Sequence, residues 1–124
     1  MSLGILLSVA LGGAVGASLR YLVVHFIGTA SGFPLGTLLV NVLGSFLIGL
    51  SYVLIAEKAL ISELWRPIIM AGFLGGLTTF SAFSLESIHL LEDGRWQMAL
   101  SYIVFSVVFC ILAAFSGMQL TRAL

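Results

Sequence analysis

Charge is scarce in this chain of 124 residues: five Lys or Arg and five Asp or Glu make up 8% of it, against 60% hydrophobic residues. A soluble domain carries roughly 25% charged residues. One this short keeps too much surface exposed to hide so many apolar side chains from water. The formal net charge is zero, with no basic run, so neither nucleic acid nor a polybasic lipid contact is expected. Cysteine is nearly absent. Cys110 stands alone among aliphatics, which excludes an internal disulfide and gives the thiol the role of a small packing residue. No Cys and His spacing suits a metal. The few acids lie mostly between the apolar runs, and no Gly-rich loop is followed by Lys, so the apparatus of phosphoryl transfer is missing. An enzyme such as a small membrane lipid kinase is therefore not expected.

Apolar length is what the chain has. Four runs, near 3–27, 35–56, 67–91 and 97–121, are each long enough to cross a hydrocarbon core of ~30 Å at ~1.5 Å per residue. They do not alternate polar with apolar, which selects helices over a barrel. The breaks between them are Gly28 to Pro34, Glu57 to Pro67 and Glu92 to Arg95, turn-forming or charged stretches that include both prolines of the chain. Pro67 suits the first position of a helix, where its missing N–H costs nothing. Trp65 and Trp96 fall at helix starts, where indoles favour the headgroup boundary. The first run lacks a basic leader and is too long for a signal peptide. The expected architecture is an all-α membrane protein, a single four-helix transmembrane domain over residues 1–124.

Four crossings put the N-terminus, the second loop and the C-terminus on one side, with Lys58, Arg66 and Arg122. The other side has Arg95, and Arg20 if it reaches outward. A Lys/Arg difference of one or two residues sets orientation only weakly, so insertion both ways is open. Four thin helices also enclose a pathway poorly, which points to an oligomer, with opposed subunits as one form.

Small residues recur four apart, at Gly12 and Gly16, Ser45 and Gly49, Gly72 and Gly76, a pattern that lets helix backbones approach. Arg20 lies deep in the first run. It either snorkels to the interface or draws anions into a vestibule. His25 and His89 fall near helix ends, and Glu86 lies inside the third run with no assignable role. Asn41 in the second run offers two N–H donors, either as glue between helices or for a dehydrating anion. In the third run, Gly75 and Gly76 precede Thr78 and Thr79, a pairing that weakens a helix at its middle. Carbonyls freed by such a break can coordinate a cation. Beyond it, Phe80 and Phe83 share one face, as do Ser81 and Ser84, and no carboxylate is expected on the phenylalanine face.

Three segments together, Gly12 to Tyr21, Gly36 to Gly49 around Asn41, and Gly75 to Phe83, resemble the Fluc (CrcB) fluoride channels in order, spacing and placement. The resemblance implies an antiparallel, dual-topology homodimer in the bacterial inner membrane. It implies two fluoride pores at the dimer interface, lined by Asn41, Phe80 and Phe83, with Ser81, Ser84 and Tyr102 as a track of hydroxyls. Arg20 would match a vestibule residue. A structural Na⁺ would be held on the twofold axis by main-chain oxygens of Gly75 and Thr78. Ala82 stands where the family often has threonine, which removes one hydroxyl. The implied activity is passive export of cytoplasmic fluoride, lowering its toxicity. The alternative is a small proton-coupled exporter of cationic drugs, which needs a membrane-embedded carboxylate. The first run has none.

Overall fold

The computed structural model describes residues 1–124 as helices joined by short turns, with no β-sheet. Helix α1 (Leu3–Ile27) begins after Ser2, whose Oγ accepts the Ile5 N–H at 3.3 Å. It ends at Gly28, where φ of +59° lets the chain leave the helix while the Gly28 N–H still reaches the Val24 carbonyl. Ala30 and Phe33 then exchange two backbone hydrogen bonds around a tight turn, and Arg95 donates to the Ser31 carbonyl at 2.6 Å. Helix α2 (Leu35–Tyr52) runs on into a π-helical turn, Val53–Glu57. A 3₁₀ turn, Glu63–Trp65, leads to α3, made of a π-helical stretch, Pro67–Leu74, and one α-helical turn, Gly75–Leu77. Helix α4 (Phe80–Glu92) and helix α5 (Trp96–Ala123) complete the chain.

By length and composition four helical stretches can cross a membrane: Leu3–Ile27, Leu35–Glu57, Glu63–Glu92 and Trp96–Ala123. Their bounds match the expected runs to within a few residues. Only 22 of the 124 residues are buried. Most large apolar side chains therefore face outward, as lipid or a second copy of the chain would require.

The spans pair closely through glycine. A Cβ on Gly16 of α1 would lie 2.1 Å from the Phe73 carbonyl oxygen of α3, so only glycine admits this approach. Helix α2 packs on α5 in the same manner, where a Cβ on Gly117 would meet the Phe46 carbonyl oxygen at 2.2 Å. What remains inside is small. Val40, Leu74 and Leu77 form one buried cluster, and Phe83, Leu90, Ala99 and Tyr102 another.

The third span, expected as a helix broken near its middle, shows two particulars. Its first part is wound as a π-helix, which the sequence did not signal. The break lies at the threonines and spares the glycines: Gly75 and Gly76 remain helical, while Thr78 (φ −86°, ψ 158°) and Thr79 (φ −153°, ψ 121°) are extended. The branched side chains favour that extended backbone, and α2 supplies the partners it needs.

Candidate functional site

At the break, Asn41 of α2 meets the main chain of Thr79 with both ends of its amide. Its Oδ1 accepts the Thr79 N–H at 2.7 Å, and its Nδ2 donates to the Thr79 carbonyl at 3.0 Å. Thr79 in turn caps α4, its Oγ1 accepting the Ala82 N–H at 3.1 Å. Opening the helix thus leaves these two N–H groups paired at membrane depth, where an orphaned one would be costly.

The exchange has a second effect. In an unbroken helix the Gly75 carbonyl would accept the Thr79 N–H and the Thr78 carbonyl the Ala82 N–H. Both donors are engaged elsewhere. The two carbonyls are left without their helical partners, and both residues line one groove. Hard main-chain oxygens of this kind fit a cation such as Na⁺; no cluster of His, Cys, Asp or Glu offers a competing site. The neighbouring Gly76 carbonyl accepts the Arg20 Nε–H at 2.9 Å. Arg20 therefore does not extend to the boundary. Its guanidinium stands at the C-terminal end of α3, where the helix dipole favours positive charge.

The groove is walled by Asn41, Gly44, Ser45, Phe80, Phe83 and Ser106 around the break, and also touches Cys110 of α5. Phe80 is 77% exposed and Phe83 only 8%, their ring centroids 5.4 Å apart. Behind them the aromatic series continues from Phe83 to Tyr102 at 5.2 Å and from Tyr102 to Phe33 at 5.4 Å. The groove measures about 350 Å³, while one water occupies ~30 Å³ in the liquid. A single protomer thus offers an open trough with room for more than one small ion or water.

Asn41, Phe80, Phe83, Gly75 and Thr78 are brought together here. Ser81, Ser84, Tyr102 and Arg20 are not on the groove wall. Ser84 Oγ donates to the Phe80 carbonyl within its own helix, and Ser81 Oγ lies 3.3 Å from Thr79 Oγ1. Tyr102 is fully buried and donates to Glu86 Oε2 at 2.6 Å. Thr37 donates to Glu86 Oε1 at 2.7 Å. The expectation that the phenylalanine face lacks a carboxylate is therefore corrected, because Glu86 lies three residues beyond Phe83 and shares its face. Sequence reasoning also passed over Thr37 and Ser106. Ser106 is 6% exposed, and its Oγ has no hydrogen-bond partner. Its position one turn after Tyr102 was the available signal.

Fold and site define a multi-pass helical membrane protein with one span opened at mid-depth onto a polar and aromatic groove. Residues 7–118 match the family described as CrcB-like protein, Camphor Resistance (CrcB), and the chain belongs to that family. Among its relatives is a protein of Saccharophagus degradans named Fluoride-specific ion channel FluC. It is 52% identical over 124 residues, covering 99% of this chain and 93% of the relative. Proteins of the same name from Hahella chejuensis and Magnetococcus marinus are 48% and 45% identical, the alignments covering 98% and 92% of this chain and 98% and 94% of those proteins.

Proposed function

We propose that this protein is a fluoride channel of the bacterial inner membrane, passing cytoplasmic fluoride outward by passive flow and so lowering its toxicity. The observation that carries the reading is the groove itself, where amide, hydroxyl and aromatic edges surround a path with no cationic side chain on its wall. Fluoride holds its water tightly, and a bare ion in low dielectric is prohibitively costly. The path must therefore supply donors as water is shed. Asn41 has a second Nδ2–H beyond the one given to Thr79, and Ser106 has an uncommitted hydroxyl. The positive ring edges of Phe80 and Phe83 touch an anion weakly enough to let it leave.

The trough becomes narrow only when a second wall closes it. An antiparallel homodimer with two pores supplies that wall, and the near balance of Lys and Arg between the two sides supports opposed insertion. A twofold axis beside the break would bring four carbonyls together, Gly75 and Thr78 from each copy, as a seat for a structural Na⁺ whose charge offsets their converging dipoles. Ser81, Ser84 and Tyr102 would supply the track of hydroxyls along each pore, and Arg20 the positive charge of its vestibule. The drug-exporter alternative requires an embedded carboxylate free to exchange protons. Glu86 is embedded, but both its oxygens are engaged by Thr37 and Tyr102. Ion efflux from liposomes holding the purified protein tests the proposal. Rapid fluoride release with chloride retained is expected; equal release of both anions, or none of either, sinks it.

A further inference from the structure

The contacts around the break assign Asn41 a task separate from touching the permeating ion. We infer that Asn41 and Thr79 are the positioning residues of the cation site, diverting the two amide hydrogens that would otherwise occupy the Gly75 and Thr78 carbonyls. The inference rests on the Na⁺ reading above and extends it to side chains that do not themselves meet the cation.

The diversion is a near-even exchange. Closing the helix would form Thr79 N–H to Gly75 and Ala82 N–H to Thr78. Keeping it open replaces them with Thr79 N–H to Asn41 Oδ1, at 2.7 Å, and Ala82 N–H to Thr79 Oγ1, at 3.1 Å. For these two donors bond number is unchanged, and the carbonyls of two groove-lining residues are released. Asn41 Nδ2 then holds the Thr79 peptide from its other side. Remove the Asn41 acceptor, and the Thr79 N–H is orphaned unless it returns to Gly75. A closed helix then competes with the cation for the same oxygen.

The acceptor and donor halves of Asn41 can be separated by substitution. Asn41→Asp keeps an oxygen for the Thr79 N–H and loses the N–H donors. Asn41→Leu keeps the volume and loses both. Thr79→Ser keeps the cap on Ala82, and Thr79→Val loses it. The readout is the thermal midpoint of the purified dimer, without fluoride, as NaCl replaces N-methyl-D-glucamine chloride at constant ionic strength. A cation bound only by the folded dimer raises that midpoint in a concentration-dependent way.

Wild type, Asn41→Asp and Thr79→Ser are expected to share a similar half-effective Na⁺ concentration. Asn41→Leu and Thr79→Val should each need about tenfold more, the order expected when a hydrogen bond competes for the ligating oxygen. Fluoride flux through Asn41→Asp should fall all the same, since its donors are gone, which separates the two tasks of this residue. Should Asn41→Leu yield no dimer, the Thr79 pair decides alone. If either Asn41→Leu or Thr79→Val folds as a dimer with the wild-type Na⁺ response, the assignment fails while the cation reading stands. A wild type indifferent to Na⁺ overturns both.

Discussion

Tyr102 of α5 and Glu86 of α4 are joined by a hydrogen bond of 2.6 Å, and Thr37 of α2 completes the arrangement from the other carboxylate oxygen at 2.7 Å. Three spans meet at one carboxylate within the membrane. A carboxyl group withdrawn from water needs its lone pairs engaged, and here two hydroxyls perform that service for half-buried Glu86 beside Phe83.

Removing one donor should therefore destabilise the protomer without emptying its core. Tyr102→Phe preserves the ring contacts to Phe33 and Phe83 and deletes only the hydroxyl. The expected loss is about 1.5–3 kcal/mol, typical of a hydrogen bond to a charged group. Thr37→Val should behave similarly, and Glu86→Gln should cost less than Glu86→Ala because its amide still accepts one of the two bonds. Denaturant unfolding in detergent measures each. A Tyr102→Phe variant as stable as wild type would mean that the carboxylate does not depend on this donor.

Gly44 offers a test of how tightly α2 backs the break. A Cβ there would stand 2.3 Å from Thr78 Cγ2, a contact no real side chain makes. Gly44→Ala must push Thr78 away, with a packing penalty of about 1–3 kcal/mol. Its fluoride flux per dimer should drop sharply, because Thr78 belongs to the groove. Gly13→Ala is the control: its added Cβ meets the Gly72 carbonyl oxygen at an ordinary 3.8 Å. Equal flux in the two variants would show that the break tolerates displacement.

Orientation can be biased by charge. C-terminal reporter fusions should reveal both topologies in the same cells. Leu60 and Leu64 are 70% and 77% exposed in the second loop; replacing both with Lys should hold that loop in the cytoplasm. The biased protein should lose flux alone and regain it when coexpressed with a variant biased the other way. Full activity from a population of single orientation would refute the opposed dimer.

The four spans were legible because lipid enforces a simple rule: about 20 apolar residues and internally satisfied backbone. Asn41, Phe80 and Phe83 stood out because polar and aromatic residues interrupting such a run are few, and the structure brings the three to one groove. The position of the break was read less well. Glycine and threonine pairs together suggested it; of these Gly75 and Gly76 stay helical while Thr78 and Thr79 are extended, and the Thr79 N–H finds its acceptor on α2, 38 positions away. Local propensity does not report a partner that distant. Glu86 escaped for a similar reason, its cost being met by Thr37 and Tyr102 from two other spans.

The two phenylalanines share a face but differ in burial, and that difference separates packing from permeation. Phe83, 8% exposed, packs against Phe80 and Tyr102. Phe83→Ile should cost about 1–3 kcal/mol for the change of shape, with a further contribution of about 0.5–1.5 kcal/mol from the lost ring pairs. Phe80 is 77% exposed in the protomer, so Phe80→Ile should cost the protomer little beyond its one ring pair with Phe83, about 0.5–1.5 kcal/mol. If the rings served only as packing, flux per folded dimer would survive both substitutions. If their edges contact the ion, both should abolish most of it, because an aliphatic side chain presents no positive rim. Phe80→Ile is the cleaner probe, since a cost that small does not account for the loss of most flux. The measurement is fluoride efflux from liposomes, normalised to the dimer recovered by size exclusion; wild-type efflux through a dimeric Phe80→Ile would remove that ring from the pathway.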